Sequence, residues 1–175
     1  MTRSEPIADL TWQTWSVELG RALVAWSPRG LCAVFIADDD ETLLTELTQT
    51  FPCRQLRQDD AVQPWGHVVR AVLNGEERDL AQVQDLPLDV IGTPLQQSVW
   101  KALRDIPPGQ TVSYSELADR LGQPKAVRAV ASACAANVLA VLIPCHRVVR
   151  RDGSASGYRW GLARKQALLA REAMR

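Results

Sequence analysis

The sequence predicts an α+β fold in two parts: a small antiparallel sheet with helices over residues 1–91, then a mostly helical part over 92–175. Three observations predict it. The first 40 residues hold three short strand-like stretches punctuated by turn residues. Beyond Gly92 the apolar residues change to helical spacing. Charge divides near the same place. Residues 1–100 carry 7 Lys/Arg against 15 Asp/Glu and residues 101–175 carry 13 against 5, although the whole chain of 175 residues is neutral. That length suits one large core or two small ones. The basic half is a candidate for a polyanionic partner, or else it neutralises the acidic half.

In the first part, Leu10 to Glu18, Arg21 to Trp26 and Leu31 to Ala37 read as a three-stranded meander, with Gly20 and Pro28-Arg29-Gly30 as its turns. Asp38-Asp39-Asp40-Glu41 places acid where a helix N-terminus favours it, and Leu43, Leu44 and Leu47 supply that helix's apolar stripe. A loop is expected over Pro52–Asp60, then a helix over Pro64–Leu73 stopped by Asn74-Gly75. This half shows no catalytic cluster and reads as scaffold. Leu86 to Gly92 is an extended connector.

In the second part, Thr93-Pro94 is an Ncap–N1 pair, and Val99, Trp100 and Leu103 form one buried face. Pro107-Pro108-Gly109 ends that helix. Ser113 or Ser115 caps the next, which runs through Leu117, Ala118 and Leu121 to Gly122. Gln123-Pro124 then opens a helix reaching Asn137, so helix, glycine turn and helix make a helix-turn-helix outline. The second of these helices has alanine at 126, 129, 131, 133, 135 and 136 and only two cations, Lys125 and Arg128. Small residues allow close backbone approach to a groove, and one Arg in the first turn suits a wedge better than a base reader; alone, such a helix is also simply core. Leu162 to Ala173 reads as a final helix with Leu162, Leu168 and Leu169 inward. Glu172 opposes the helix dipole near its end, and His146 is a candidate partner.

Cys32, Cys53, Cys134 and Cys145 show no CxxC spacing, and with only His67 and His146 beside them no zinc site is expected. Cys32 and Cys134 read as small core residues and Cys53 as a loop thiol. With Glu5 and Asp9 and no apolar segment, the N-terminus is not a signal peptide, and no run is long enough to span a membrane. A reducing, cytoplasmic setting is expected.

The chemistry concentrates in Ile143-Pro144-Cys145-His146-Arg147-Val148-Val149, after the apolar run Val138 to Leu142. Thiolate is the reactive form of cysteine, and adjacent cations are expected to lower its pKa. Neighbours on an extended chain face opposite ways, so a water between Cys145 and His146 is one route for the proton. A structural Cys beside a surface His-Arg pair is the plainer alternative. Downstream, Asp152-Gly153 favours a tight turn, and Tyr158 and Trp160 either stack on a planar ligand or cover core.

Pro144-Cys145-His146-Arg147-Val148-Val149 resembles the signature of the O6-alkylguanine-DNA alkyltransferases, or methylated-DNA–protein-cysteine methyltransferases. The likeness extends through Gly92-Thr93, Val112-Ser113-Tyr114, Pro124 to Val130, Ala136-Asn137 and Gly157 to Gly161. Residues 123–161 are most similar to the C-terminal alkyltransferase domain of bacterial Ada proteins, without the zinc-cysteine domain that precedes it there. A stand-alone form or an isolated domain is expected. The resemblance implies a ribonuclease H-like first domain and a winged-helix-like, DNA-binding second one. It implies a single-turnover repair protein acting on duplex DNA as a monomer, with no cofactor and no metal. The alkyl group of flipped-out O6-methylguanine, or of O4-methylthymine, would pass irreversibly to Cys145. His146, oriented by Glu172, would take the thiol proton. Tyr158 and Tyr114 would assist the leaving base, and the Cys145 and Val148 carbonyls would accept from its amine. Arg128 would replace the extruded base, with Lys125 and Ser115 on the DNA, and Asn137 would tie the second helix to the active-site turn. Arg159 and Trp160 would crowd the substrate pocket against bulky groups. A DNA-binding regulator with Cys145 as an alkylation or redox sensor is the alternative. A Cys-His hydrolase is less favoured, because no glycine-rich oxyanion motif is evident.

Overall fold

The computed structural model describes residues 9–76 and 80–174; the N-terminal positions used above against a signal peptide, Glu5 among them, lie outside these. The fold is α+β, in two compact units, Met1–Val90 and Ile91–Arg175. No helix among the described residues is long and apolar enough to cross a membrane.

In the first unit β1 (Leu10–Val17), β2 (Gly20–Ser27) and β3 (Gly30–Ala37) form the expected antiparallel meander. All eight residues of β3 are buried, so it reads as a continuous apolar run rather than an alternation. Helix α1 (Asp40–Thr50) is capped by Asp39, whose side chain accepts from Thr42 N at 2.7 Å, and it buries Leu43 and Leu47; Leu44 is only half-buried. The sheet is mixed, not purely antiparallel as expected. A short strand β4 (Leu56–Gln58), inside the expected loop, pairs parallel to β1 and gives the order β3-β2-β1-β4. Three residues on a sheet edge are too few for period-two alternation to register. Helix α2 (Gly66–Leu73) ends at Asn74, and a short α3 (Leu80–Gln84) follows. The connector returns to the sheet: Leu31 N donates to Pro87 O and Asp89 N to Leu31 O, both at 2.8 Å. Any side chain at Gly30 would bring its Cβ to 2.6 Å from Pro87 O.

In the second unit α4 (Pro94–Arg104) begins in a reciprocal capping box between Thr93 and Gln96 and buries Val99, Trp100 and Leu103. The Trp100 indole donates to Ala133 O at 2.9 Å, and a Cβ on Gly92 would meet its ring at 2.6 Å. Strand β5 (Val112–Ser113) leads into α5 (Tyr114–Arg120), with Ser113 and not Ser115 as its cap, in a box with Glu116. Helix α6 (Val127–Ala135) is shorter than expected. Residues 124–125 form a turn before it, which leaves Lys125 outside and Arg128 in the first turn. The run Val138–Leu142 is a chain of turns, with Val141 at φ +68°, a strained conformation for a β-branched residue. It delivers Cys145–Arg147 as one turn of 3-10 helix, not as extended chain, and β6 (Val148–Val149) follows, parallel to β5. Helix α7 (Leu162–Ala173) has the expected limits but a different inner face. Lys165, Leu168 and Glu172 are buried, while Leu162 is 44 % exposed. Two of its three inward positions are charged, so apolar spacing alone mislocates the face.

Candidate active site

The 3-10 turn winds Cys145, His146 and Arg147 around one axis, and all three are buried. His146 Nε2 lies 2.8 Å from Glu172 Oε1. Arg147 forks onto the same carboxylate, Nε to Oε2 at 3.0 Å and Nη2 to Oε1 at 2.8 Å, while its Nη1 donates to Ile106 O at 2.6 Å. Glu172 thus has two cationic-type partners from the motif, not one. Asn137, 1 % exposed, spans the turns. Its Nδ2 donates to Ile143 O at 2.9 Å and to Cys145 Sγ at 3.2 Å, and its Oδ1 accepts from Leu139 N at 2.9 Å.

Cys145 opens on a cavity of about 570 Å³. Ala131, Cys134 and Ala135 of α6 form one wall, and Gly157, Tyr158 and Arg159 of the following loop form another. Tyr114, Ser156 and Arg150 complete it. Cys134 is therefore buried, as expected, yet lines the cavity with Cys145. Trp160 does not reach the cavity wall; it stands edge-on behind Tyr158, with ring centroids 5.3 Å apart. Arg128 and Lys125 are exposed at the start of α6, and Ser115 accepts from Arg151 Nη2 at 3.4 Å. The Val148 carbonyl accepts from the buried Lys165 ammonium at 2.7 Å.

Residues 94–174 match the family described as 6-O-methylguanine DNA methyltransferase, DNA binding domain. The inducible methylated-DNA–protein-cysteine methyltransferase of Bacillus subtilis is 35 % identical over 164 residues, which cover 91 % of this chain and 86 % of that protein. This chain belongs to the methylated-DNA–protein-cysteine methyltransferase family. The Ada protein of Escherichia coli K12, a bifunctional transcriptional activator and DNA repair enzyme, is 57 % identical over 156 residues. That match takes in 89 % of this chain and 43 % of Ada, so the chain spans under half the length of that relative. Among solved structures, Mycobacterium tuberculosis O6-methylguanine methyltransferase superposes with a TM-score of 0.76 at 33 % identity, covering 95 % of this chain and 94 % of that one. A complex of the M. tuberculosis OGT protein with DNA gives 0.77 at 32 %, covering 94 % and 93 %.

Electrostatics around Cys145 differ from the expectation for adjacent cations. Burial pushes the Cys145 thiol up, offset only in part by the Asn137 amide and by Lys165 and Arg159. His146 and Arg147 turn toward Glu172 instead. Burial also pushes Glu172 upward, but the hydrogen bonds from His146 and Arg147 outweigh it and hold the carboxylate at about 2. Burial lowers the His146 pKa, against the pull of Glu172. An ionised Glu172 only accepts, so Nε2 carries the imidazole proton and Nδ1 presents a lone pair. Nδ1 is buried and finds no hydrogen-bond partner among the described residues. Burial, then the proximity of Cys145 and Glu172, pushes the Tyr158 phenol well above its ordinary value, and its hydroxyl also has no partner among the described residues. Cys134 is driven to about 12, first by burial and next by Cys145, so it stays a thiol.

Three residues of this site were missed from sequence. Arg147 stood inside the motif, but its role needs the distant Glu172. Lys165 shares the i, i+3, i+7 face of Leu168 and Glu172, but a charged residue gives no signal to a reading by apolar spacing. Ser156 sits in a glycine loop with no periodicity to mark it.

Proposed function

We propose that this protein repairs duplex DNA by taking the alkyl group of O6-methylguanine onto Cys145. O4-methylthymine is a second substrate. The observation that carries the reading is the buried assembly in which Asn137 holds the Cys145 sulfur at the cavity while Arg147 and Glu172 lock the neighbouring imidazole with a free Nδ1 lone pair. A thiol that burial keeps protonated needs such a base. The proton passes to His146 Nδ1 through a bridging water, the sulfur attacks the methyl carbon in line, and the carbon–O6 bond breaks with its electron pair left on guanine. The thioether is stable to water, so each molecule acts once.

The duplex is engaged by the basic unit. Its α5–turn–α6 pair is the helix-turn-helix of a winged-helix-like domain, with the Arg150–Ser154 turn as wing. The first unit, with β4 parallel to β1, supports a ribonuclease H-like arrangement. Small residues on α6 bring its backbone close to the DNA, Arg128 fills the space of the extruded base, and Lys125 and Ser115 meet phosphates. Tyr158 and Tyr114 serve the leaving guanine, and the Cys145 and Val148 carbonyls read its amine. Arg159 narrows the cavity directly, and Trp160 does so by backing Tyr158. The protein works as a monomer in the cytoplasm, without metal or cofactor.

Incubation with duplex DNA carrying radiolabelled O6-methylguanine tests this. One methyl per protein on the peptide containing Cys145 is expected, with none for Cys145→Ala, which still binds the duplex. Label on Cys32, Cys53 or Cys134 refutes the assignment, and no label at all favours a sensor.

A further inference from the structure

The Tyr114 phenol oxygen and the Ser156 hydroxyl lie 2.8 Å apart, and both line the cavity with Cys145. Tyr114 is the first residue of α5, fixed by the Ser113–Glu116 capping box. Ser156 hangs from a turn that is itself pinned. Arg150 N donates to Ser154 O at 3.0 Å, and Asp152 Oδ1 accepts from Ser154 N at 2.9 Å and Ser154 Oγ at 2.6 Å. The hydrogen bond therefore joins two separately anchored elements across the cavity mouth.

Resting on the transferase reading, we propose that Ser156 is a positioning residue for the reaction, donating its hydroxyl hydrogen to Tyr114 so that the Tyr114 O–H points into the cavity at the departing guanine. A phenol has one hydrogen and can also accept. With Ser156 as donor, the phenol hydrogen is left for the ligand; with the polarity reversed it is spent on the loop. As the sulfur–carbon bond forms and the carbon–O6 bond breaks, guanine keeps the electron pair and takes the Tyr114 proton. The charge left on the Tyr114 oxygen accepts the Ser156 hydrogen bond until solvent returns a proton. Burial raises the Tyr114 pKa, and the Ser156 hydrogen bond is the chief effect drawing it back. Among the described residues, Tyr158 has no such donor on its hydroxyl. The two phenols therefore divide the work: Tyr158 polarises the base, and Tyr114 gives up its proton.

The test is a double-mutant cycle on single-turnover transfer from duplex O6-methylguanine, using wild type, Ser156→Ala, Ser156→Thr, Tyr114→Phe and Ser156→Ala/Tyr114→Phe. DNA affinity is measured separately with each variant in a Cys145→Ala background. Ser156→Ala should slow transfer about 3- to 10-fold, the span of one neutral hydrogen bond, with affinity unchanged. Ser156→Thr should restore the rate, and the alanine should have no effect in Tyr114→Phe. An unchanged Ser156→Ala rate, an equal slowing in Tyr114→Phe, no rescue by threonine, or a loss confined to affinity overturns the proposal. A wild type that transfers no methyl overturns the transferase reading itself, and is told apart by that control.

Discussion

The two units bury different chemistry. Among the described residues of the N-terminal unit, the buried set is apolar apart from Gln13 and Ser27. The C-terminal unit buries His146, Arg147, Lys165 and Glu172 together with Asn137 and Ser113. The first is a core held by area removed from water. The second spends part of its stability on burying ionisable groups, which is tolerable only because each is hydrogen-bonded to another or to a carbonyl. Scaffold and site thus differ in what a mutation should break: fold alone in the first, fold and chemistry together in the second.

The sharpest separation is at the relay. His146→Ala and Glu172→Gln should each slow methyl transfer by about 10²–10⁴-fold, as expected for loss of general-base catalysis. The double mutant should be no worse than the slower single. Phe35→Ala, fully buried in β3, should leave the single-turnover rate of the folded protein unaltered. A rate loss in Phe35→Ala like that of the relay would dissolve the distinction between the units.

Arg147→Met probes the buried pair from the other side. It removes the fork on Glu172 and leaves Ile106 O without its donor. Breaking a buried pair by deleting one partner typically costs about 3–5 kcal/mol, and Phe→Ala in a core costs a similar amount. Denaturant unfolding of both variants should therefore show comparable loss, but only Arg147→Met should also slow transfer. Equal stability in Arg147→Met and wild type would mean the fork is not the support assigned here.

A smaller effect is expected at Arg128. Arg128→Ala should lower the ratio of duplex to free-base rate constants by about 10- to 100-fold, since extrusion of a base costs a few kcal/mol, and Arg128→Lys should fall between. An unchanged ratio would reduce Arg128 to a surface charge and turn attention to Tyr114.

The mildest test is pH. His146 and Glu172 both have folded pKa values below their ordinary 6.5 and 4.5. In each case the unfolded chain binds protons more readily, so their contribution to stability is present at neutral pH and is lost as pH falls. The loss begins near 6.5 through His146 and continues from 4.5 toward about 2 through Glu172. Thermal unfolding from pH 7 to pH 2 should show a falling midpoint, with the fall below pH 4.5 flatter in Glu172→Gln. Identical slopes would place the acid sensitivity elsewhere.

These contrasts also mark how far the residues could be read without the fold. β-rich stretches and turn residues specified β1 to β3, the acidic run Asp38 to Glu41 specified the start of α1, and Thr93-Pro94 specified that of α4, because turns and caps are local properties of a few adjacent residues. The motif around Cys145 named the family for a similar reason: its chemistry is packed into six consecutive positions. Tertiary structure decided what depends on contacts between distant segments. It added β4, whose three residues carry no period, and it turned α7 so that Lys165 and Glu172 face inward where a hydropathy pattern puts leucine. It also reversed the expected electrostatics of Cys145. Adjacency in sequence placed His146 and Arg147 beside the thiol, but one turn of 3-10 helix directs both to a carboxylate 25 and 26 residues away. Burial then sets the thiol's pKa, since the cost of desolvating a charge is fixed by everything packed around it and by no single neighbour in the chain.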